Sequence, residues 1–147
     1  MSERFLYTLL CIAVLTMIGA GCITEIGNTD IALKNVDISE IYSTFNAPHS
    51  LEINLVNEES NLTKIVYTNS EHDTVILTIQ PDTNKPINTN TLIKMNEIDV
   101  HFVRQDAFYV YIWIIDSHRF SIVGTDETIS YDFVKEMIAY TLDYLIV

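Results

Sequence analysis

The spacing of apolar residues changes twice along the chain, and each change marks a different kind of segment. Before residue 23 the apolar residues form an almost unbroken run. Between residues 50 and 124 they alternate with polar residues, which is typical of half-buried β-strands. After residue 130 they recur every three or four positions, as on one side of a helix. The pattern therefore predicts a leader, a β-rich body and a terminal helix.

Alternation predicts up to six strands in the body. In the first, Leu51, Ile53 and Leu55 alternate with polar residues and are expected on the buried face. The other predicted strands cover residues 62–68, 74–80, 98–102, 107–115 and 120–124. Residues 107–115 (AFYVYIWII) are apolar on both faces, which predicts a central strand covered on each side. Residues 81–90 (PDTNKPINTN) are predicted to form a loop.

The C-terminal segment predicts one amphipathic helix. Its apolar stripe consists of Phe133, Val134, Met137, Ile138, Thr141, Leu142 and Leu145. Ser130 is the predicted N-cap, with Asp132 in the first turn. One helix after five or six antiparallel strands predicts an α+β domain over residues 47–147, in which a curved sheet packs against the helix. Residues 22–46 are expected to form a tether and a short first element.

The leader, residues 1–21, has the features of a signal peptide, because an apolar region at residues 5–18 is followed by small residues. The ending Gly-Ala-Gly-Cys resembles the lipobox of prokaryotic lipoproteins, here interpreted as archaeal. This resemblance implies that Cys22 carries a lipid and becomes the mature N-terminus. An uncleaved signal anchor is an alternative, since the apolar run up to Ile23 is roughly nineteen residues, enough to span a bilayer. Simple secretion is another. Each of the three places the body outside the cytoplasm, with a membrane attachment in the first two.

The charge and the cysteine content argue against several classes of function. Eight Lys and Arg stand against twenty Asp and Glu, giving a net charge of −12. Such acidity disfavours nucleic-acid binding and polybasic membrane docking, and it fits solubility beside a membrane better than cation attraction. Both cysteines, Cys11 and Cys22, lie in or next to the leader, so the body has no disulfide and no thiol nucleophile.

The order of features after residue 62 also resembles a known family. LTKIVYTNSEHDTVILTIQ gives two strands around a polar turn, and EIDVHFVRQDAFYVYIWIIDSHRFSIVGTDETISYDFVKEMIAYTL gives three strands and a helix. With Trp113 and Gly124 as anchors, this order is similar to an uncharacterised extracytoplasmic domain family placed with the lipoprotein-carrier (LolA/LolB-like) superfamily. The resemblance implies a half-open antiparallel barrel that can shelter an apolar ligand and has no catalytic residues. A PsbP-like α/β/α sandwich is the alternative fold.

An aromatic stripe is the main candidate site. Tyr109, Tyr111 and Trp113 project from one face of the predicted central strand. They could line a groove for a lipid tail or a partner segment, or they could form the surface on which the terminal helix packs. An apolar cavity beneath the stripe would favour the groove.

Other candidate sites are weaker. Asn61-Leu62-Thr63 is an acceptor sequence for N-glycosylation. The four histidines lack metal-ligand spacing, and the polar loop at residues 81–90 lacks the EF-hand pattern, so no metal or other cofactor is predicted. No catalytic motif is present either, which predicts a protein that is not an enzyme. We expect a membrane-anchored binding or interaction module or, alternatively, a structural subunit of a cell-envelope complex recognised through an exposed sheet edge.

Overall fold

The computed structural model describes residues 38–89 and 91–144. The elements in this part of the chain are α1 (Ile38–Thr44), β1 (Glu52–Glu59), β2 (Leu62–Thr68), β3 (Thr74–Pro81), β4 (Thr91–Met95), β5 (Ile98–Gln105), β6 (Phe108–Ile115), β7 (His118–Gly124) and α2 (Glu127–Tyr144). The predicted signal peptide, Cys22 and most of the predicted tether lie outside the described residues.

The strands form a single antiparallel sheet in the order β1-β2-β3-β7-β6-β5-β4. Residues 82–89 carry the chain from β3, near the middle, to β4 at the far edge, and three hairpins then lead back to β7 beside β3. The C-terminal helix α2 packs against this sheet, which confirms the predicted α+β class. The sheet is neither closed nor strongly curled, so the half-barrel expectation is not met.

The sheet has seven strands within the described residues, and the expectation of five or six was wrong because β4 was missed. Ile93 and Met95 of β4 continue the alternation of β5 across a two-residue turn, Asn96-Glu97. Both turn residues have positive φ, 48° and 66°. Hairpin turns of this kind usually contain glycine, which is absent from this turn, so the customary sequence signal is lacking.

The edge strand β1 is more exposed than its alternation predicted. Leu51 is buried just before the strand, but Ile53 and Leu55 are 43% and 53% exposed. A β-bulge shifts the register between them, so that Ile53 is opposite Tyr67 whereas Leu55 is opposite Val66. Because neighbouring residues of a strand lie on opposite faces, the bulge separates two side chains that would otherwise share a face.

The larger core lies between the sheet and the two helices. This α2-side core has buried side chains from the two helices, from Phe45 and Leu51, and from six strands, β2 to β7. The residues from α2 are Phe133, Val134, Met137 and Ile138, and those from β6 are Tyr111, Trp113 and Ile115. Phe45, just after α1, contacts the rings of Tyr67 and Phe133 edge to face. The predicted helix stripe is therefore the surface that α2 buries against the sheet, except for Leu145, which lies outside the described residues.

A second, smaller core lies on the opposite face of the sheet. Its buried residues are Val66, Ile76, Ile87, Phe108, Val110, Ile112 and Val123. Ile87 belongs to the loop at residues 82–89, and the others belong to strands. The prediction that residues 107–115 form a central strand covered on each side is thus confirmed.

Helix α2 begins earlier than predicted. Asp126 is the N-cap, because its Oδ1 accepts a hydrogen bond of 2.9 Å from the backbone N–H of Ile129. Ser130, the predicted cap, lies inside the first turn, where it is buried and its hydroxyl donates to the carbonyl of Asp126. Both residue types cap helices well, and the sequence alone did not distinguish them.

The first turn of α2 lies against Gly124 at the end of β7. A Cβ placed on Gly124 would lie 1.8 Å from Ser130 Oγ and 2.9 Å from Ser130 Cβ. Both distances are far below van der Waals contact. Only glycine therefore allows this close approach of helix and strand.

We predict that Gly124→Ala lowers the free energy of unfolding by about 1–3 kcal/mol, because the added methyl group overpacks the contact with Ser130. Urea denaturation of the full chain measures this loss. The double variant Gly124→Ala/Ser130→Gly removes the clash. Its loss of unfolding free energy should therefore be smaller than the sum of the losses in the two single variants. Strict additivity of the two changes would contradict the proposed contact.

Candidate functional site

The predicted aromatic stripe lies mostly within the α2-side core. Tyr111 and Trp113 are buried, and the Trp113 ring stacks on Phe120 at 5.5 Å between centroids. Tyr109, near the start of β6, is half-buried, and the guanidinium of Arg104 lies 5.5 Å from its ring centroid. Tyr111 and Trp113 therefore do not line an open groove, and the stripe forms part of the surface on which α2 packs.

Three polar groups in this core have unusual surroundings. The Tyr67 hydroxyl and Trp113 Nε1 are buried and have no hydrogen-bond partner among the described residues. Burial raises the pKa of Tyr67 far above its usual value, and it raises the pKa of Tyr111 to about 12. Tyr67 is on β2 and Trp113 is on β6, with β3 and β7 between them, so the two unpartnered groups do not form one site.

A buried ion pair holds the loop at residues 82–89 on the opposite face. The Arg119 guanidinium donates to Asp82 Oδ1 at 2.8 and 3.1 Å and to the backbone carbonyl of Lys85 at 2.5 Å. The side chains of Arg119 and Asp82 are only 5% and 9% exposed. The carboxylate of Asp82 is thus engaged in positioning the loop, which fits the predicted plain loop better than a calcium site.

The end of the same loop contacts a buried histidine. Thr89 Oγ1 and His101 Nδ1 are 3.0 Å apart, and His101 lies on β5. Burial lowers the pKa of His101, the charge of Arg119 lowers it further, and Asp99 acts in the opposite direction. The polar groups on this face therefore tie down a crossover loop at its two ends, around the buried Ile87.

Another histidine and a carboxylate meet at the surface. His49 Nε2 is 2.6 Å from Asp132 Oδ2 of α2, and both side chains are more than a third exposed. His118 Nδ1 contacts the backbone oxygen of Asp116 at 2.8 Å. Within residues 38–89 and 91–144, no group of three His, Cys, Asp or Glu residues is arranged to hold a metal ion.

The two edge strands carry most of the exposed large apolar side chains. In the described part of the chain these are Ile53 and Leu55 on β1, Leu92 on β4, and Tyr131 on α2. An edge strand also presents backbone N–H and C=O groups that no neighbouring strand pairs. Within the described residues, apolar side chains and unpaired backbone groups thus occur together at both edges, which makes the edges the strongest candidate interaction surfaces.

Asn61 lies in the exposed turn that joins β1 to β2, next to one of these edges. Its position is accessible, whereas Thr63 of the same acceptor sequence is buried on β2. Glycosylation at Asn61 stays a prediction.

The sequence predicted the aromatic stripe and the loop, but it did not predict the buried ion pair that holds the loop or the exposed side chains at the sheet edges. Arg119 was missed, although a charged residue next to the buried positions of a predicted strand is a signal that it needs a partner. Asp82 is 37 residues away, so the partner could not be identified without the fold. The exposure of Leu92 depends on β4 being an edge, which follows from strand order alone.

Among the described helices, neither is both long enough and apolar enough to cross a bilayer. Comparisons of the chain with protein-family models, with curated proteins and with solved structures found no match. The likeness to the lipoprotein-carrier superfamily and the PsbP-like alternative therefore stay predictions.

We predict that Asp82→Asn or Arg119→Met alone lowers the free energy of unfolding by about 3–5 kcal/mol, because each leaves a buried polar group without its partner. The double variant Asp82→Asn/Arg119→Met, which removes both charges, should lose less than the two single losses combined. Denaturant titrations of all three variants test this. Single-variant losses below about 1 kcal/mol, the range of exposed pairs, would show that the pair does not hold the loop.

We predict that His101 makes stability depend on pH. Its pKa in the folded protein lies below the ordinary value of 6.5, so the unfolded chain binds a proton first. The stabilisation is complete above pH 6.5 and decreases as the pH falls from there toward the folded-state pKa. His101→Gln should flatten the profile of unfolding free energy in this range, and His72→Gln, at an exposed turn, should not. Equal effects of the two variants would contradict the prediction.

Proposed function

We propose that this protein is a non-enzymatic interaction module, anchored to a membrane and facing away from the cytoplasm, that binds proteins through the edges of its sheet. One observation carries the proposal. Three of the four exposed large apolar side chains in the described part lie on edge strands, whereas the central strands are buried on both faces. Surface of this kind favours contacts made by strand addition.

The anchor is proposed from the leader alone. The apolar run and the Gly-Ala-Gly-Cys ending support export and lipid attachment at Cys22, with an uncleaved signal anchor or simple secretion as alternatives. A net charge of −12 supports partners other than nucleic acid. A short tether between Cys22 and α1 would keep the body close to the membrane, where partners are concentrated.

Binding of an apolar ligand is the less supported form of this function. A ligand groove needs accessible apolar walls, and Tyr111 and Trp113 are buried in the α2-side core. The sheet also lacks the strong curvature with which a half-barrel would enclose a ligand. Both facts favour the structural-subunit alternative, in which recognition occurs at the sheet edges.

The polar contacts also favour a non-enzymatic role. Asp82 is paired with Arg119 and His101 contacts Thr89, so these buried groups position a loop. The pair of His49 and Asp132 lies at the surface, with both side chains more than a third exposed, and not in a buried cleft. Neither set of contacts resembles a nucleophile held beside a base.

We predict that single lysine substitutions at the edges, Ile53→Lys, Leu55→Lys or Leu92→Lys, reduce the size of the complex that the protein forms. Each places a charge at a surface from which a partner strand would exclude water. Each site is already about half exposed, so folding should be unaffected. The measurement is the mass of the full chain extracted from its native membrane in mild detergent, determined by light scattering after size exclusion.

Tyr131→Lys is the matched control, because Tyr131 is the exposed large apolar side chain that lies on α2 rather than on an edge. It should leave the complex intact. A wild-type chain that is monomeric after extraction would contradict the proposed function. Equal loss of the complex in Tyr131→Lys and all three edge variants would contradict the assignment to the edges.

A further inference from the structure

The two edges of the sheet differ in ways that bear on what each can bind. Strand β1 has eight residues, contains a bulge, and carries Glu52, Glu58 and Glu59. Strand β4 has five residues, TLIKM, with an unbroken register to β5 and no carboxylate. Bulges and charged residues protect an edge against further pairing, so β1 is the better protected edge against another copy of itself.

Antiparallel self-pairing of β1 is opposed by charge. Full overlap of two β1 strands about a two-fold axis places Glu52 of each copy opposite Glu59 of the other, and Glu58 opposite Ile53. Like charges directly opposite each other across strands are destabilising. The chain therefore disfavours its own copy at this edge.

Antiparallel self-pairing of β4 has no such conflict. Full overlap places Ile93 opposite Ile93, Leu92 opposite Lys94, and Thr91 opposite Met95. No pair brings two like charges together. Lys94 already forms a 2.8 Å ion pair with Asp99 of the same chain, so its charge stays compensated.

The side chains of β4 are also suited to a strand from a second copy. Leu92 is 55% exposed and lies on the face away from α2, opposite His101. In the overlapped pair it would cover the aliphatic stem of Lys94 from the other copy. On the other face, the partly buried Ile93 packs on the α2-side core, so two opposed Ile93 side chains would join the α2-side cores of the two copies.

We propose that β4 is the self-association edge of this protein, where it pairs antiparallel with β4 of a second copy about a two-fold axis at Ile93. The result is one sheet that continues through both copies, with a β1 edge at each end. This inference rests on the proposed function and specifies its partner. A contact of five residues per copy is small, so we expect association at the density of a membrane surface and little in dilute solution.

Charge gives the association a distinctive salt dependence. Two copies that each carry a net charge of −12 repel each other, and added salt screens this repulsion. Dimer formation at β4 should therefore increase when ionic strength rises from about 0.05 M to about 0.5 M. Binding of a basic partner would decrease over the same change.

The test is disulfide cross-linking of the full chain in lipid vesicles. Ile93→Cys places two thiols directly opposite each other, at a separation that a disulfide can bridge, so mild oxidation should give on the order of tenfold more dimer than Leu55→Cys on β1. The wild-type chain controls for Cys11 and Cys22. Because Ile93 is partly buried, a second pair of variants avoids any effect on folding: Leu92→Cys and Lys94→Cys should cross-link when mixed in one vesicle, and much less when each is alone.

Equal yields from Ile93→Cys and Leu55→Cys, together with no gain on mixing the second pair, would overturn the β4 assignment. A dimer yield that falls with salt would also overturn it. If either of these results were found while the complex extracted from native membranes stayed intact, the proposed function would stand and the edge partner would be a different protein. If the native chain were monomeric as well, both proposals would fail.

Discussion

The burial of both faces of the central strands β6 and β7 determines the rest of the structure. Ile115, Trp113 and Phe120 face the α2-side core, and Val110, Ile112 and Val123 face the opposite core. A sheet with two apolar faces must be covered twice. Helix α2 supplies one cover, with its first turn held close to β7 by the contact of Gly124 with Ser130. The loop at residues 82–89 helps to cover the other face with Ile87, and the ion pair of Arg119 and Asp82 holds this loop in place.

In this arrangement most of the buried aromatic, charged and histidine side chains have structural roles. Tyr111 and Trp113 support α2, Arg119 and Asp82 secure the loop, and His101 contacts Thr89 at the far end of the loop. In the part of the chain that the structure describes, the edges are the surfaces that combine exposed apolar side chains with unpaired backbone groups. This supports the proposed role, in which the protein acts by contact. The acidic, bulged edge and the carboxylate-free edge then differ in the partners they admit.

Much of the fold could be predicted from the sequence because alternation and helical spacing are local signals. The central strand, the loop and the α+β class followed from them. The N-cap was misassigned because Asp126 and Ser130 compete within one turn, and β4 was missed because its turn at Asn96 and Glu97 has no glycine. Exposure of Ile53 and Leu55 depends on a bulge that the alternation does not reveal. The candidate site was the least predictable feature, because an edge is defined by strand order.

Amide hydrogen exchange of the full chain in vesicles, followed strand by strand at low and high protein density, tests most directly whether the sheet edges are the interacting surfaces. The amides of β3, β6 and β7 are paired on both sides and should exchange slowly at either density. At high density the amides of β4 should become protected, while those of β1 stay fast. Unchanged exchange in β4, with new protection appearing on α2 instead, would contradict the role assigned to the edges.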